Sequence, residues 1–279
     1  MSPFPDNPDP IPASSAELAA QVPSGIAVEP VATPAPDPAW SIWDLLGLVA
    51  VVVVAITASM LVALLVAKKL IDPRADILAL ARNAVVVVVG QALGYVLVFA
   101  YMYGLVTRVR RRPDFLAAIH WSFPSKPGRY LLAGALLSVG LQLFAHLLPI
   151  PKNLPIDALF RTSTEAWVLT IFGVTLAPLM EELLFRGFLY PVLEKYLGMG
   201  TAIPVTALGF ALLHGSQLRF AWGPLLVIFI VGLALTIVRA RKNSVAASLL
   251  MHVAYNTTLS ALMFVATDGF RHLEKLRNQ

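Results

Sequence analysis

The feature that most constrains this chain is the repetition of long apolar runs. No charged side chain occurs from Leu45 to Ala67, nor from Ala84 to Val106. About 20 apolar residues suffice to cross the hydrocarbon core of a bilayer as a helix. Lipid offers the backbone no hydrogen-bond partner, so such runs must be helical or close into a barrel. The whole chain agrees with the first: it is 58% hydrophobic and 13% charged, against about 25% charged in soluble domains. The expected fold is all-α, a multi-pass transmembrane helical bundle of about seven to eight spans set in a lipid bilayer.

Residues 1–40 differ from the rest. They hold ten of the 21 prolines, no Lys or Arg, and the acids Asp6, Asp9, Glu17, Glu29 and Asp37. Such a stretch buries too little apolar surface to fold, so a disordered Pro-rich tail is expected. A transmembrane domain follows over 41–270, then a polar C-terminal tail over 271–279. Spans are expected near 42–67, 84–106, 130–148, 167–195, 202–214, 222–238 and 244–265. Between the second and third, residues 113–123 read as an amphipathic segment lying in the interface. Gly90, Gly94 and Gly104 suggest close helix contacts, and Pro178 suggests a kink.

The net charge of +5 sits mostly at the ends of the apolar runs. That placement reads as orientation and headgroup contact rather than nucleic-acid binding. Lys and Arg divide almost evenly between the two sides, so they do not fix the orientation. The absence of cysteine rules out disulfides, thiol catalysis and Cys-ligated metal.

Within this apolar background, Met180-Glu181-Glu182-Leu183-Leu184-Phe185-Arg186-Gly187 stands out. A charge at membrane depth is costly, about 2.5–3.5 kcal/mol on insertion scales, and usually marks function. Glu182 and Arg186 share a helical face and can pair. Glu181 points about 100° away and has no basic residue one turn along. It is therefore the carboxylate left for chemistry. Two later spans add Phe210-Ala-Leu-Leu-His214 and His252-Val-Ala-Tyr-Asn256, each with its polar group one turn from a partner.

A carboxylate beside a histidine can take a proton from water. A second histidine and an amide can donate to a developing oxyanion. Glu181 and His214 for water, with His252 and Asn256 for the oxyanion, are the parts of a peptide hydrolase that needs no nucleophilic side chain. Each residue alone has a plainer reading. A lone intramembrane histidine is more often structural, paired glutamates can sit among headgroups, and an asparagine can join helices. A proton-coupled transporter using the same acids and histidines is the rival function. A carrier built on inverted repeats would show matching broken helices in both halves, and only the segment near Pro178 qualifies.

Glu181-Glu182-x-x-x-Arg186, Phe210-x-x-x-His214 and His252-x-x-x-Asn256, in that order, resemble the three motifs of the CPBP family of intramembrane proteases. That family includes the type II CAAX prenyl endopeptidases and the bacterial Abi proteins. The resemblance covers roughly residues 165–265. It implies a polar cavity within the bundle, with Glu181 and His214 activating water and His252 and Asn256 stabilising the oxyanion. Glu182, Arg186 and Phe210 would support them. It further implies a membrane-associated peptide or lipidated protein, possibly prenylated, as substrate, and a bacterial cytoplasmic membrane as location. A catalytically inactive family member acting as a scaffold is a third reading. No cofactor is expected. The alternative is zinc on Glu181, His214 and His252, a ligand set known from catalytic zinc sites. The His-Glu-x-x-His arrangement of zinc proteases is absent.

Overall fold

The computed structural model describes residues 38–70, 73–152 and 154–276, and its regular elements are all helical. Residues 1–37, which hold nearly all of the expected disordered tail, lie outside the described residues. Trp40 is buried at the start of the described chain. Its ring stacks on Phe188 with centroids 4.5 Å apart, and its Nε1–H donates to the Phe188 carbonyl at 3.1 Å.

Helix α1 spans Ile42–Leu70 and α2 spans Ile77–Ala81. Helix α3 spans Ala84–Gly104 and ends in a π-turn over Leu105–Val109. Asn83 caps α3, its Oδ1 accepting from the N–H groups of Val85 and Val86. Asp44 in the first turn of α1 pairs with Arg110 beyond the end of α3, tying those two helix ends together. The helices also pack along their lengths. A Cβ on Gly90 or Gly94 would press on the backbone of Met60 or Ile56 at 3.1 Å. Gly104, the third glycine expected at a helix contact, instead faces open space.

Residues 113–123 are helical only briefly. Helix α4 covers only Phe115–Ala118, and Phe115 and Ile119 are buried in the core with Phe188 and Met180. One side of the segment buries Phe115 and Ile119 against the bundle, while Leu116 and Phe123 stay exposed.

Helix α5 spans Pro127–Ala145, α6 spans Ser163–Val174 and α7 spans Leu176–Glu182, followed by a π-turn over Leu183–Leu189. Helix α8 spans Tyr190–Leu213, α9 spans Trp222–Lys242 and α10 spans Val245–Ala266. The break between α6 and α7 falls at Thr175, three residues before Pro178.

Among the described residues, six helical stretches are long and apolar enough to cross a membrane, fewer than the seven to eight expected. The difference arises at Ser163–Leu213, a continuous 51-residue stretch. At about 1.5 Å per residue it is far too long for one crossing of a ~30 Å core. Gly198, at φ 71° and ψ 160°, breaks it. The fourth and fifth expected spans thus fall within one helical stretch rather than two. The molecule is a multi-pass membrane protein.

Helices α5 and α10 approach most closely at Gly134, where a Cβ would collide with the Met251 carbonyl and the Ala254 side chain. Replacing Gly134 by Ala should lower stability by about 1–3 kcal/mol, the usual effect of overpacking. Gly104→Ala, with nothing near its Cβ, should be neutral or stabilising by up to about 1 kcal/mol through helix propensity. Thermal unfolding of both variants in detergent measures the contrast, and equal effects would contradict the packing.

Candidate active site

The polar residues picked out by spacing meet at one end of α7. Glu182 and Arg186 are both fully buried and pair at 2.9 Å, Arg186 Nη1 donating to Glu182 Oε1. The same oxygen receives His252 Nδ1 at 2.9 Å. Every face of the Arg186 guanidinium is occupied. Nη2 donates to the Gly232 carbonyl at 3.0 Å and Nε to Thr236 Oγ1 at 3.3 Å. The Phe210 ring covers its face, with Cζ 4.6 Å from the ring centroid. The planar fork of arginine meets these directions, and a lysine ammonium would not.

The π-turn after Glu182 explains a second buried cation. Tyr190 N–H bonds the Phe185 carbonyl, five residues back. Pro191 has no N–H to offer the next carbonyl, that of Arg186. A buried carbonyl needs a donor, and Arg239 Nε supplies it at 3.1 Å. Arg239 reads from sequence as a charge just past the end of a span. It is instead 2% exposed, inside α9, with Nη1 on Asn243 Oδ1 at 2.6 Å. Gly232, Thr236 and Arg239 thus form a rail along α9 that holds the motif helix. The sequence signal was their spacing of four and three residues, visible only once the partner helix is known.

Glu181 lies apart from this network, as its helical position requires. Its Oε1 is 4.0 Å from His214 Nε2 and its Oε2 is 3.7 Å from His252 Nε2. The far nitrogen of each ring is anchored. His214 Nδ1 lies 3.0 Å from the Phe210 carbonyl, and His252 Nδ1 lies on Glu182. A carbonyl only accepts, so His214 carries a proton on Nδ1, an assignment made from the partner. The same holds for His252 on the ion-paired carboxylate. Both rings therefore turn Nε2 toward Glu181. Phe210 fills the gap between them, its centroid 5.1 Å from His214 and 5.7 Å from His252.

Asn256 lies one turn after His252, and its Nδ2 donates to the Gly173 carbonyl at 2.7 Å. A carboxamide has two N–H donors, so one remains. Glu181, His214, His252 and Asn256 all line one cavity of about 350 Å³. Its walls are largely apolar, with Leu169, Phe172, Ile228 and Leu259 among them. Residues 154–160 contribute Ile156, Leu159 and Phe160 at its edge. Gln91 and Tyr95 of α3 also face it; nothing in the three motifs pointed to them.

Glu181, His214 and His252 form the alternative zinc ligand set. Donor atoms around a tetrahedral zinc at about 2.1 Å lie roughly 3.4 Å apart. The separations from Glu181 are wider, and no group of three His, Asp or Glu among the described residues is disposed to hold a metal ion. As placed, the three do not fit that ion.

Residues 163–258 match the family model described as type II CAAX prenyl endopeptidase Rce1-like. The match bears out the resemblance read from the three motifs. No curated protein and no solved structure matches the chain.

The buried pair makes a direct prediction. Arg186→Met leaves Glu182 without its cation, which should cost about 3–5 kcal/mol of stability. Thermal or denaturant unfolding reads this, and a loss below 1 kcal/mol would mean the pair is not isolated from solvent.

Proposed function

We propose that this protein is an intramembrane endopeptidase that hydrolyses a peptide bond of a membrane-associated substrate, with a prenylated CAAX-type peptide as the first candidate. The observation that carries the reading is the convergence of Glu181 from α7, His214 from the end of α8, and His252 and Asn256 from α10 on one cavity. The match of 163–258 to an endopeptidase family supports it independently.

In this reading Glu181 is the base. Its separations of 4.0 and 3.7 Å from the two rings exceed a direct hydrogen bond and suit groups that share one water molecule. His214 orients that water and Glu181 takes its proton as the oxygen attacks the scissile carbonyl carbon. The carbonyl electron pair moves onto oxygen. The free N–H of Asn256 donates to that oxyanion, as does His252 Nε2 when its ring is doubly protonated. Such donors act strongly in a water-poor site because they are fixed before the charge develops. The proton held by Glu181 passes to the amide nitrogen as the C–N bond breaks, giving an acid and an amine.

Glu182 and Arg186 do not touch the substrate here. They hold His252 by its Nδ1, which aims Nε2 at the reacting oxygen. The apolar walls give a lipid-linked or apolar peptide a surface to bury against.

Glu181→Gln should abolish cleavage of a farnesylated peptide with a CAAX-type C-terminus in proteoliposomes, while the unfolding temperature stays near that of the wild type. His214→Ala should also be inactive. Asn256→Ala should slow turnover by about 10²–10³-fold, as loss of an oxyanion donor does elsewhere. Normal turnover by Glu181→Gln would remove the proposed base. Assay after exhaustive chelation addresses metal: full activity supports the metal-free mechanism, and loss restored by zinc supports the ligand reading.

A further inference from the structure

The matched segment begins at residue 163, yet the cavity has a wall that it does not supply. Val87, Gln91 and Tyr95 of α3 follow one another at four-residue steps and line the same space as Glu181, His252 and Asn256. Steps of four keep side chains on one helical face. Of the remaining surface of α3, one face packs on α1 through Gly90 and Gly94, and another is apolar and outward, with Val89, Leu93, Val96 and Leu97 exposed. Gln91 is the one carboxamide in α3.

Neither Gln91 nor Tyr95 hydrogen-bonds another described residue through its side chain. Turned toward lipid, the Gln91 amide would cost several kcal/mol for want of a partner; turned toward the cavity, it can bond water or a ligand. A glutamine in a membrane helix that points away from lipid, and pairs with nothing, is placed for something that enters the cavity. Tyr95 is held ready. Its ring stacks on Phe172 at 5.9 Å and 11°, and it lines the same cavity as Glu181.

We infer that α3 carries a binding site for the main chain of the substrate peptide, with Gln91 and Tyr95 as its two polar contacts. This rests on the endopeptidase reading above and extends it to a helix outside the matched segment. A carboxamide offers a donor and an acceptor side by side, the complement of a peptide amide. A phenol adds one donor for a carbonyl on the Glu181 side. A hydrocarbon tail alone would leave both groups unbonded, so the chemistry selects a peptide backbone rather than a lipid chain at this wall. Val87, one turn further, gives an adjacent side chain an apolar contact.

Two measurements test this separately. The chain has no cysteine, so a single introduced thiol is the only one present. In proteoliposomes, Gln91→Cys should react with a small cationic methanethiosulfonate reagent roughly tenfold or more faster than Val96→Cys, because thiol chemistry follows water access. Val96 is 64% exposed on the outer side of α3. Equal rates would overturn the wet wall without reference to any substrate.

The second measurement uses the farnesylated CAAX-type peptide. Gln91→Leu and Tyr95→Phe should each lower kcat/KM by about 10-fold, the value of one hydrogen bond. For Gln91→Leu the change should lie mainly in KM. Tyr95→Phe keeps the stack on Phe172, and unchanged unfolding temperatures separate lost binding from lost fold. If the wild type cleaves and both variants match it in KM and kcat, the binding site is wrong while the enzyme reading stands. If the wild type leaves the peptide intact, the endopeptidase reading fails, and with it the role of α3 as a peptide site. Fast labelling would then show only that the wall is wet.

Discussion

The site depends on one buried ion pair. Glu182 and Arg186 have no access to solvent, and Glu182 Oε1 holds both Arg186 and His252 at 2.9 Å. A buried salt bridge is weak evidence for stability, since desolvation offsets much of the attraction. Here its value is geometric. Arg186 is fixed by Glu182, Gly232, Thr236 and the Phe210 ring, so Glu182 is fixed, and His252 takes its orientation from Glu182. An apolar pair of the same volume would pack as well but would leave the imidazole free to turn.

The backbone around the pair is arranged to the same end. A π-turn directly after Glu182 shifts the register of the ladder, and Pro191 removes the donor that would have met the Arg186 carbonyl. Such turns recur at functional sites. The vacated bond goes to Arg239 on α9, the helix that also receives Arg186 at Gly232 and Thr236. Close approach at Gly232, where a Cβ would press on Ala207 at 3.0 Å, brings α9 against α8. The three motifs are thus held together by a helix whose own anchoring residues belong to none of them.

Spacing within a helix was legible because it is local. Glu182 with Arg186, Glu181 apart from both, and Asn256 one turn after His252 all follow from 3.6 residues per turn. Apolar run lengths likewise located the spans. What could not be read is what depends on another helix. Gly90 and Gly94 meet Met60 and Ile56 while Gly104 meets nothing, although all three look alike in sequence. Arg239 follows an apolar run and resembles any charge at a span end until α9 is seen to continue to Lys242. Phe115 and Ile119 carry an interfacial pattern yet fill the core beside Phe188. Gln91 and Tyr95 sit in a run that reads as ordinary lipid-facing helix. The number of spans was obscured by Gly198, one residue with positive φ.

The adjacency of two glutamates resolves a conflict that a single one could not. In the proposed reaction the base must be held in place, yet its lone pairs must stay available, and every hydrogen bond that fixes a carboxylate also occupies it. Two carboxylates about 100° apart on one helix divide the task. Glu182 accepts the fixing bonds, and the rigid turn they create positions Glu181 through the backbone. His214 and His252 follow the same logic within one ring, with Nδ1 anchored and Nε2 turned inward. The result is three acceptor-capable groups facing one point from fixed supports, none consumed by another, since 3.7 and 4.0 Å are too long for direct bonds among them. Mobility at that point is left to whatever enters the cavity, which is where a hydrolytic reaction needs it.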